Sequence, residues 1–244
     1  MIKFKKTIVI LALLVNIYPM KAIAANKTFT SSGQILPGET WNNVYIQNIG
    51  TIVDMSGGQV NYLSIQGANY FNMSGGQINT YIYAENGSTV NIYDGIVNLS
   101  SDFIVDGSLT SISHLNIMGG NVTAKVLKAY PTSNIEFTGG ILNFDTFNIM
   151  GELTIKGGSL NVNYAYIGYG PYPAMVNVYG YGFNYNPTGG NLGEGILTGY
   201  LLDNNFFSIN GLSESEFQSF NLIPEPATLA LFAIGSLAIL RRRR

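Results

Sequence analysis

Between Met55 and Asn161 one pattern of apolar, small and polar positions returns six times. Its first two copies are Met55-Ser56-Gly57-Gly58-Gln59-Val60-Asn61 and Met73-Ser74-Gly75-Gly76-Gln77-Ile78-Asn79; four more are centred on Asp94-Gly95, Gly119-Gly120, Gly139-Gly140 and Gly157-Gly158. The doublets step by 18, 19, 25, 20 and 18 residues. A recurring period near 20 is the mark of a repeat architecture, in which each unit buries its apolar side only by stacking on its neighbours.

Two columns of the repeat are apolar throughout. The residue two before the doublet is Met55, Met73, Ile92, Ile117, Phe137 or Ile155, and the residue three after its first member is Val60, Ile78, Val97, Val122, Leu142 or Leu160. Both columns are assigned to the core. The glycines between them supply backbone conformations that a Cβ would strain, as a sharp turn between short strands requires. The next column, Asn61, Asn79, Asn98, Thr123, Asn143 and Asn161, suits a hydrogen-bonded ladder on superposed strands. Alternating stretches such as Phe147-Asn148-Ile149 supply further strands.

These features predict an all-β chain: a right-handed parallel β-helix or a related β-solenoid of six or seven coils. Strand spacing also admits a β-sandwich. Helical repeats are excluded, because the units lack runs of helix-forming residues. The pattern changes from Val176, where Gly180, Gly182, Gly189-Gly190 and an aromatic-rich stretch predict a β cap over the open end of the stack. The expected divisions are a signal peptide at 1–25, solenoid at 26–175, cap at 176–212, polar spacer at 213–222 and a terminal signal at 223–244.

Charge narrows the function classes. Between Asn26 and Leu222 there are four lysines, no arginine and thirteen acidic residues, a net charge of −9. Such a domain has nothing with which to neutralise phosphates, so nucleic acid is excluded as a partner. The chain has no cysteine, so a secreted form of it must be held by burial and backbone pairing.

The two ends carry addresses. Lys3, Lys5 and Lys6 precede the apolar run Thr7 to Tyr18, and Ala22-Ile23-Ala24 offers small residues for signal peptidase. At the other end Pro224-Glu225-Pro226 precedes Ala227 to Leu240, fourteen residues without charge, and then Arg241, Arg242, Arg243 and Arg244. A helix of that length covers about 21 Å, a marginal transmembrane span stopped by arginines on the cytoplasmic side.

This tripartite tail resembles the PEP-CTERM sorting signal of Gram-negative bacteria that make exopolysaccharide. The resemblance covers about the last 22 residues. It implies recognition by the membrane protease exosortase, transient anchoring in the inner membrane, cleavage around Pro224-Glu225-Pro226, and delivery to the cell surface or extracellular matrix, with exopolysaccharide as a candidate partner. The glycine-rich stretch from Val176 also resembles the closing module that precedes the signal in other such proteins.

Candidate chemistry in the body of the chain is sparse. A β-helix polysaccharide lyase needs a basic residue to take a proton beside a uronate, and no arginine lies upstream of the tail. A hydrolase needs paired carboxylates; Asp54, Asp94, Asp102, Asp106, Glu136 and Asp145 read as scattered turn and surface acids outside any repeated column. His114 is the only histidine, read as a turn or surface residue, and no cofactor, metal site or catalytic residue is assigned. Tyr164, Tyr166, Tyr169 and Tyr172 are candidates for stacking on sugar rings, against the alternative of strand and cap packing. The expected function is a non-enzymatic structural or adhesive component of the surface or matrix; a carbohydrate-active enzyme on the same fold is the alternative, and a receptor-like module for a protein partner is a third class.

Overall fold

The computed structural model describes residues 25–168 and 172–225. The signal-peptide segment, Tyr169, Pro226, the apolar run from Ala227 and the four arginines therefore lie outside the described residues. Among the described residues no helix is long and apolar enough to cross a membrane.

The described chain is mostly strand: β1 (Ala25–Phe29), β2 (Gly33–Ile35), β3 (Thr40–Ile46), β4 (Ile52–Gln66), β5 (Tyr70–Glu85), β6 (Thr89–Asp106), β7 (Ser113–Ile117), β8 (Asn121–Ala129), β9 (Ser133–Ile149), β10 (Glu152–Ile167), β11 (Met175–Asn186), β12 (Gly195–Leu201), β13 (Phe206–Leu212) and β14 (Phe220–Pro224), with a 3-10 turn at Asn191–Gly193 and one α-helical turn, α1 (Glu214–Phe217). From β1 to β10 every pairing between strands is parallel, each coil lying on the one before it. That pairing makes a β-solenoid of about eight turns and rules out the sandwich.

Each coil has three faces. The β4–β5 register runs through Ile52–Met55, breaks, resumes at Gln59 and Val60, breaks again, and resumes from Tyr62 to Gln66. The glycine doublet is the first break. Its second glycine has φ between 76° and 109° in all six copies, and the turn foreseen from sequence is a corner within a continuous strand in every copy but Gly119-Gly120, which falls between β7 and β8. At Gly140 a Cβ would also lie 2.9 Å from the carbonyl oxygens of Gly119 and Gly120 on the coil below. The glycine thus serves the φ angle and the coil-to-coil approach at once. The 25-residue step is accommodated between β6 and β7, where Ser108 and Ser111 bridge an extra loop carrying exposed Leu109.

The two apolar columns form the interior, and every member of both is at most 2 % exposed. Phe137, Phe144 and Phe147 pack together there, with ring centroids 5.1 to 6.3 Å apart. A third interior column had not been foreseen: Thr51, Asn69, Ser88, Ser113 and Ser133, six residues before each of the first five doublets, all buried, with Gly151 in that place before the sixth. Four of them, Thr51, Asn69, Ser113 and Ser133, bond the backbone of the corner between third and first faces, while the buried Ser88 hydroxyl has no partner among the described residues. Asn69 Oδ1 accepts from Thr51 N–H at 2.9 Å while its Nδ2 donates to Gln66 O at 2.6 Å, and Ser113 and Ser133 donate to Asp106 O and Tyr130 O. Small polar side chains pair carbonyls that a sharp corner strips of ladder partners.

Closure differs on each face. On the first face the early part of β11 stacks in parallel on β10, and β14 stacks in parallel on β11. On the second face β13 stacks in parallel on β10, and an antiparallel meander follows, β12 on β13 and the late part of β11 on β12. On the third face α1 supplies a carboxylate: Glu216 Oε1 accepts from Ile167 N–H at 3.3 Å. Residues 213–222, expected as a polar spacer, hold α1 and most of β14. Ser213 and Glu216 close a reciprocal capping box at the helix start, and Phe220 and Leu222 pack against the core. The cap accordingly runs to Pro224.

Candidate functional site

Outward-facing residues of a stacked coil come in columns, so any site on this molecule is built from residues about 20 apart in sequence. On the first face the column three before each doublet holds Asp54, Asn72, Asn91, Asn116, Glu136 and Thr154, continuing into Asn177 and Asn221 by strand register. Asn72 donates to Asp54, Asn91 to Asn72 and Asn116 to Asn91, each at 2.8 Å. Asn221 donates to Asn177 at 3.2 Å, a separate rung of the same column within the cap. The asparagine column expected on the second face bonds along its early part, Asn79 to Asn61 at 3.2 Å and Asn61 to Asn42 at 3.3 Å.

This arrangement corrects the reading of the acids. Asp54 and Glu136 do share a repeated column, but four coil spacings of about 4.8 Å separate them, roughly 19 Å. That exceeds the about 5 to 9.5 Å over which two carboxylates cooperate in glycoside hydrolysis. Glu136 is paired with Lys156 and Asp102 with Lys128, both at 2.6 Å. Glu85 and Asp106 are register partners on adjacent coils. Burial raises the Asp106 pKa above the ordinary value, and a hydrogen bond with Tyr83 opposes the rise. This pair has the spacing of neighbouring strands, about 4.8 Å between backbones.

On the third face Tyr45, Tyr62 and Tyr81 form a stack of rings. Tyr62 and Tyr81 lie 5.2 Å apart and nearly parallel, and Tyr45 is tilted 6.0 Å from Tyr62. Burial, followed by the neighbouring Tyr62, pushes the Tyr81 hydroxyl up to about 12. Because Tyr62 and Tyr81 cover each other's faces, that pair presents ring edges outward; it serves as packing between coils.

The tyrosines singled out from sequence lie farther along. Tyr164 is half-buried on β10, Tyr166 is 57 % exposed two residues on, and Tyr172 is 51 % exposed beyond the strand. Register places Tyr164 and Tyr166 on the same third face as the tyrosine stack, beside Thr146 and Asn148. His114 faces outward from β7, a strand position between Thr89 and Asn134 and not a turn. Among the described residues no group of three or more His, Asp or Glu side chains could hold a metal ion.

Two shallow grooves open at the corners. One, of about 240 Å³, runs along the axis between second and third faces, with Leu99, Ala124 and Phe144 as its floor and Asn143, Asp145, Asn161 and Lys125 among its walls. The other, of about 340 Å³, lies between first and second faces beside Tyr93, Met118 and Glu136. Neither groove contains Glu85, Asp106 or the candidate tyrosines.

Of the sorting residues, Pro224 and Glu225 lie among the described residues. Pro224 ends β14, and Glu225 N–H donates to Gly180 O at 3.1 Å. Residues 222–244 match the PEP-CTERM protein-sorting motif. The chain carries this sorting motif at its tail. A PEP-CTERM motif implies an exported protein, transiently anchored at the membrane, with exosortase as its processing partner. The match covers only the end of the chain and is silent on the solenoid. No curated protein and no solved structure matches the chain.

Proposed function

We propose that the chain is a structural or adhesive component of the cell surface or exopolysaccharide matrix of a Gram-negative bacterium, delivered there by exosortase processing. The observation that carries this reading is the join between the sorting motif and a cysteine-free stack of coils whose outward asparagines bond one coil to the next at its start and again in the cap. Asp54, Asp102, Glu136 and Asp145 are engaged in bonding one coil to the next. Exposed Tyr166 and Tyr172 are the residues most open to a sugar ring.

An epitope inserted in the exposed Gly107–Ser111 loop tests the location. Labelling of intact cells, and co-sedimentation of the mature chain with the producer's own polysaccharide, are expected. A mature chain confined to the periplasm, or free in the medium with no affinity for polymer, overturns the reading.

One observation favours the carbohydrate-active alternative, the adjacent carboxylates Glu85 and Asp106 beside Tyr83. Turnover of the producer's polysaccharide that disappears in Asp106→Asn would sink the structural reading.

A further inference from the structure

The sorting motif begins inside the fold. Residues 222–224 of the matched region are the last three of β14, in register with Val178, Tyr179 and Gly180 of β11. The pairing continues into the motif through the bond from Glu225 N–H to Gly180 O. Ser219 O likewise accepts from Val176 N–H. In a strand, alternate residues turn their backbone groups to opposite edges, so the odd-numbered residues of β14 face β11 and Phe220, Leu222 and Pro224 face away. Proline lacks a donor, and a position facing away from the neighbouring strand is the one where that costs no pairing. The first proline of the motif is thus compatible with a continued strand.

Side chains hold the same strand. Leu222 and Phe220 pack against the core, Phe220 lies 6.2 Å from Phe217, and Phe217 stacks on Tyr185 at 3.9 Å. Asn221 bonds to Asn177 in the first-face column. A protease acting at Pro224-Glu225-Pro226 has to close around backbone whose inner edge is already occupied by the solenoid.

We propose that exosortase processing proceeds from a state in which β14 has left β11, so that docking of the last rung governs how fast the tail is removed. Terminal elements with few neighbours are where local opening is least costly, and cleavage of a briefly opened segment follows its open population when reclosing is fast. The docked strand then makes maturation sensitive to completion of the cap: a chain whose cap is folded holds its motif back, and one whose cap is loose surrenders it. This inference rests on the sorting motif alone and is independent of the surface or matrix role.

The test uses the full chain in a host that carries exosortase, reading the ratio of processed to unprocessed protein over time by immunoblot and intact mass. In Asn177→Cys/Asn221→Cys the two substituted positions are register partners, about 4.8 Å apart, within the span a disulfide accepts. The natural chain has no cysteine to compete. The bridged chain is expected to be processed at least about tenfold more slowly than the natural chain, with reductant lifting the block, while either single variant, having lost the Asn221–Asn177 bond, is processed somewhat faster than the natural chain. Phe220→Ala needs no bridge and forms the independent arm, with processing accelerated several-fold. A bridged chain processed at the natural rate overturns the proposal, since the protease would then be reading β14 along its free edge. So does Phe220→Ala processed no faster than the natural chain while hydrogen exchange shows its β14 opened.

Discussion

The stacked coils from β4 to β10 and the cap from β11 to β14 bury apolar side chains alike, yet they are held by different means. In the coils, each strand has parallel partners on both sides, and corners are made by glycine where neighbouring backbones approach too closely for a Cβ. The cap has antiparallel turns, aromatic stacks such as Tyr185 on Phe217, and a capped helical turn, and its contacts are made largely by side chains. A repeat can be extended because every coil offers the next the surface it received. A cap has to stop that process, so its residues cannot repeat the pattern.

The largest test removes interior volume from the coils. Phe147 is fully buried between Phe137 and Phe144, and Phe147→Ala is expected to cost about 3–5 kcal/mol, read as a lower denaturant midpoint. Phe217→Ala in the cap, where the ring is only partly buried, is expected to cost about 1–2 kcal/mol. Its signature is faster hydrogen exchange in β14, with β4 to β10 still protected. Equal losses across both regions would show the two to be one cooperative unit.

Next in size is a pair of glycines with the same backbone demand. Gly140 has φ +92° and Gly182 φ +63°, so alanine strains either position by about 1–3 kcal/mol. Of this pair only Gly140 has a Cβ position that also meets backbone: there the obstacle is two carbonyl oxygens at 2.9 Å, while at Gly182 the nearest atom is Tyr200 Cδ2 at 3.5 Å. Thermal unfolding should fall further for Gly140→Ala than for Gly182→Ala. Indistinguishable shifts would mean that φ alone, and not coil spacing, dictates the doublet.

The regular region was the legible one. The doublets and the two apolar columns are visible in sequence because one physical demand, close approach or burial, selects one residue type in every copy. The first-face ladder escaped notice because hydrogen bonding is a looser demand. Asp54, Asn72, Asn91, Asn116, Glu136 and Thr154 all meet it and look unrelated until aligned on the doublet. Tyr45, Tyr62 and Tyr81 were missed because their offsets from the doublets drift where register shifts. The serine and asparagine at the inner corner were hidden by being small and polar, properties that ordinarily mean surface. Most of the cap's strand content was anticipated from its glycine and aromatic spacing, but β14 was not, since five residues ending in proline carry almost no periodic signal.

The ladder tests the comparison more gently. Asn91 donates to Asn72 and accepts from Asn116, so Asn91→Ala breaks two bonds mid-stack and is expected to cost about 1–2 kcal/mol. Asn221→Ala breaks one bond at the open end and is expected to cost about 0.5–1 kcal/mol. Chemical denaturation of both variants checks the order, and a reversed order would place the weight of the ladder in the cap.

The smallest effect belongs to the contact where the two regions meet. Asp203, in the turn between β12 and β13, accepts at Oδ2 from Gly158 N–H at 2.6 Å, and Leu202 N–H donates to Lys156 O. The last doublet of the stack thus receives a carboxylate where earlier doublets receive another coil. Burial pushes the Asp203 pKa up, but bonds from Gly158 N–H and from the side chain and backbone of Asn205 outweigh it and leave the group below its ordinary 3.8. A depressed native pKa means that the folded chain binds the proton less readily than the unfolded one. The resulting stabilisation is present above about pH 4 and disappears as pH falls through the native value. Asp203→Asn retains an acceptor and loses the charge, so its melting temperature should lie slightly below the natural chain's at pH 7, with the gap closing below pH 4. A gap that stayed constant into acid would show that shape, and not ionisation, joins cap to stack.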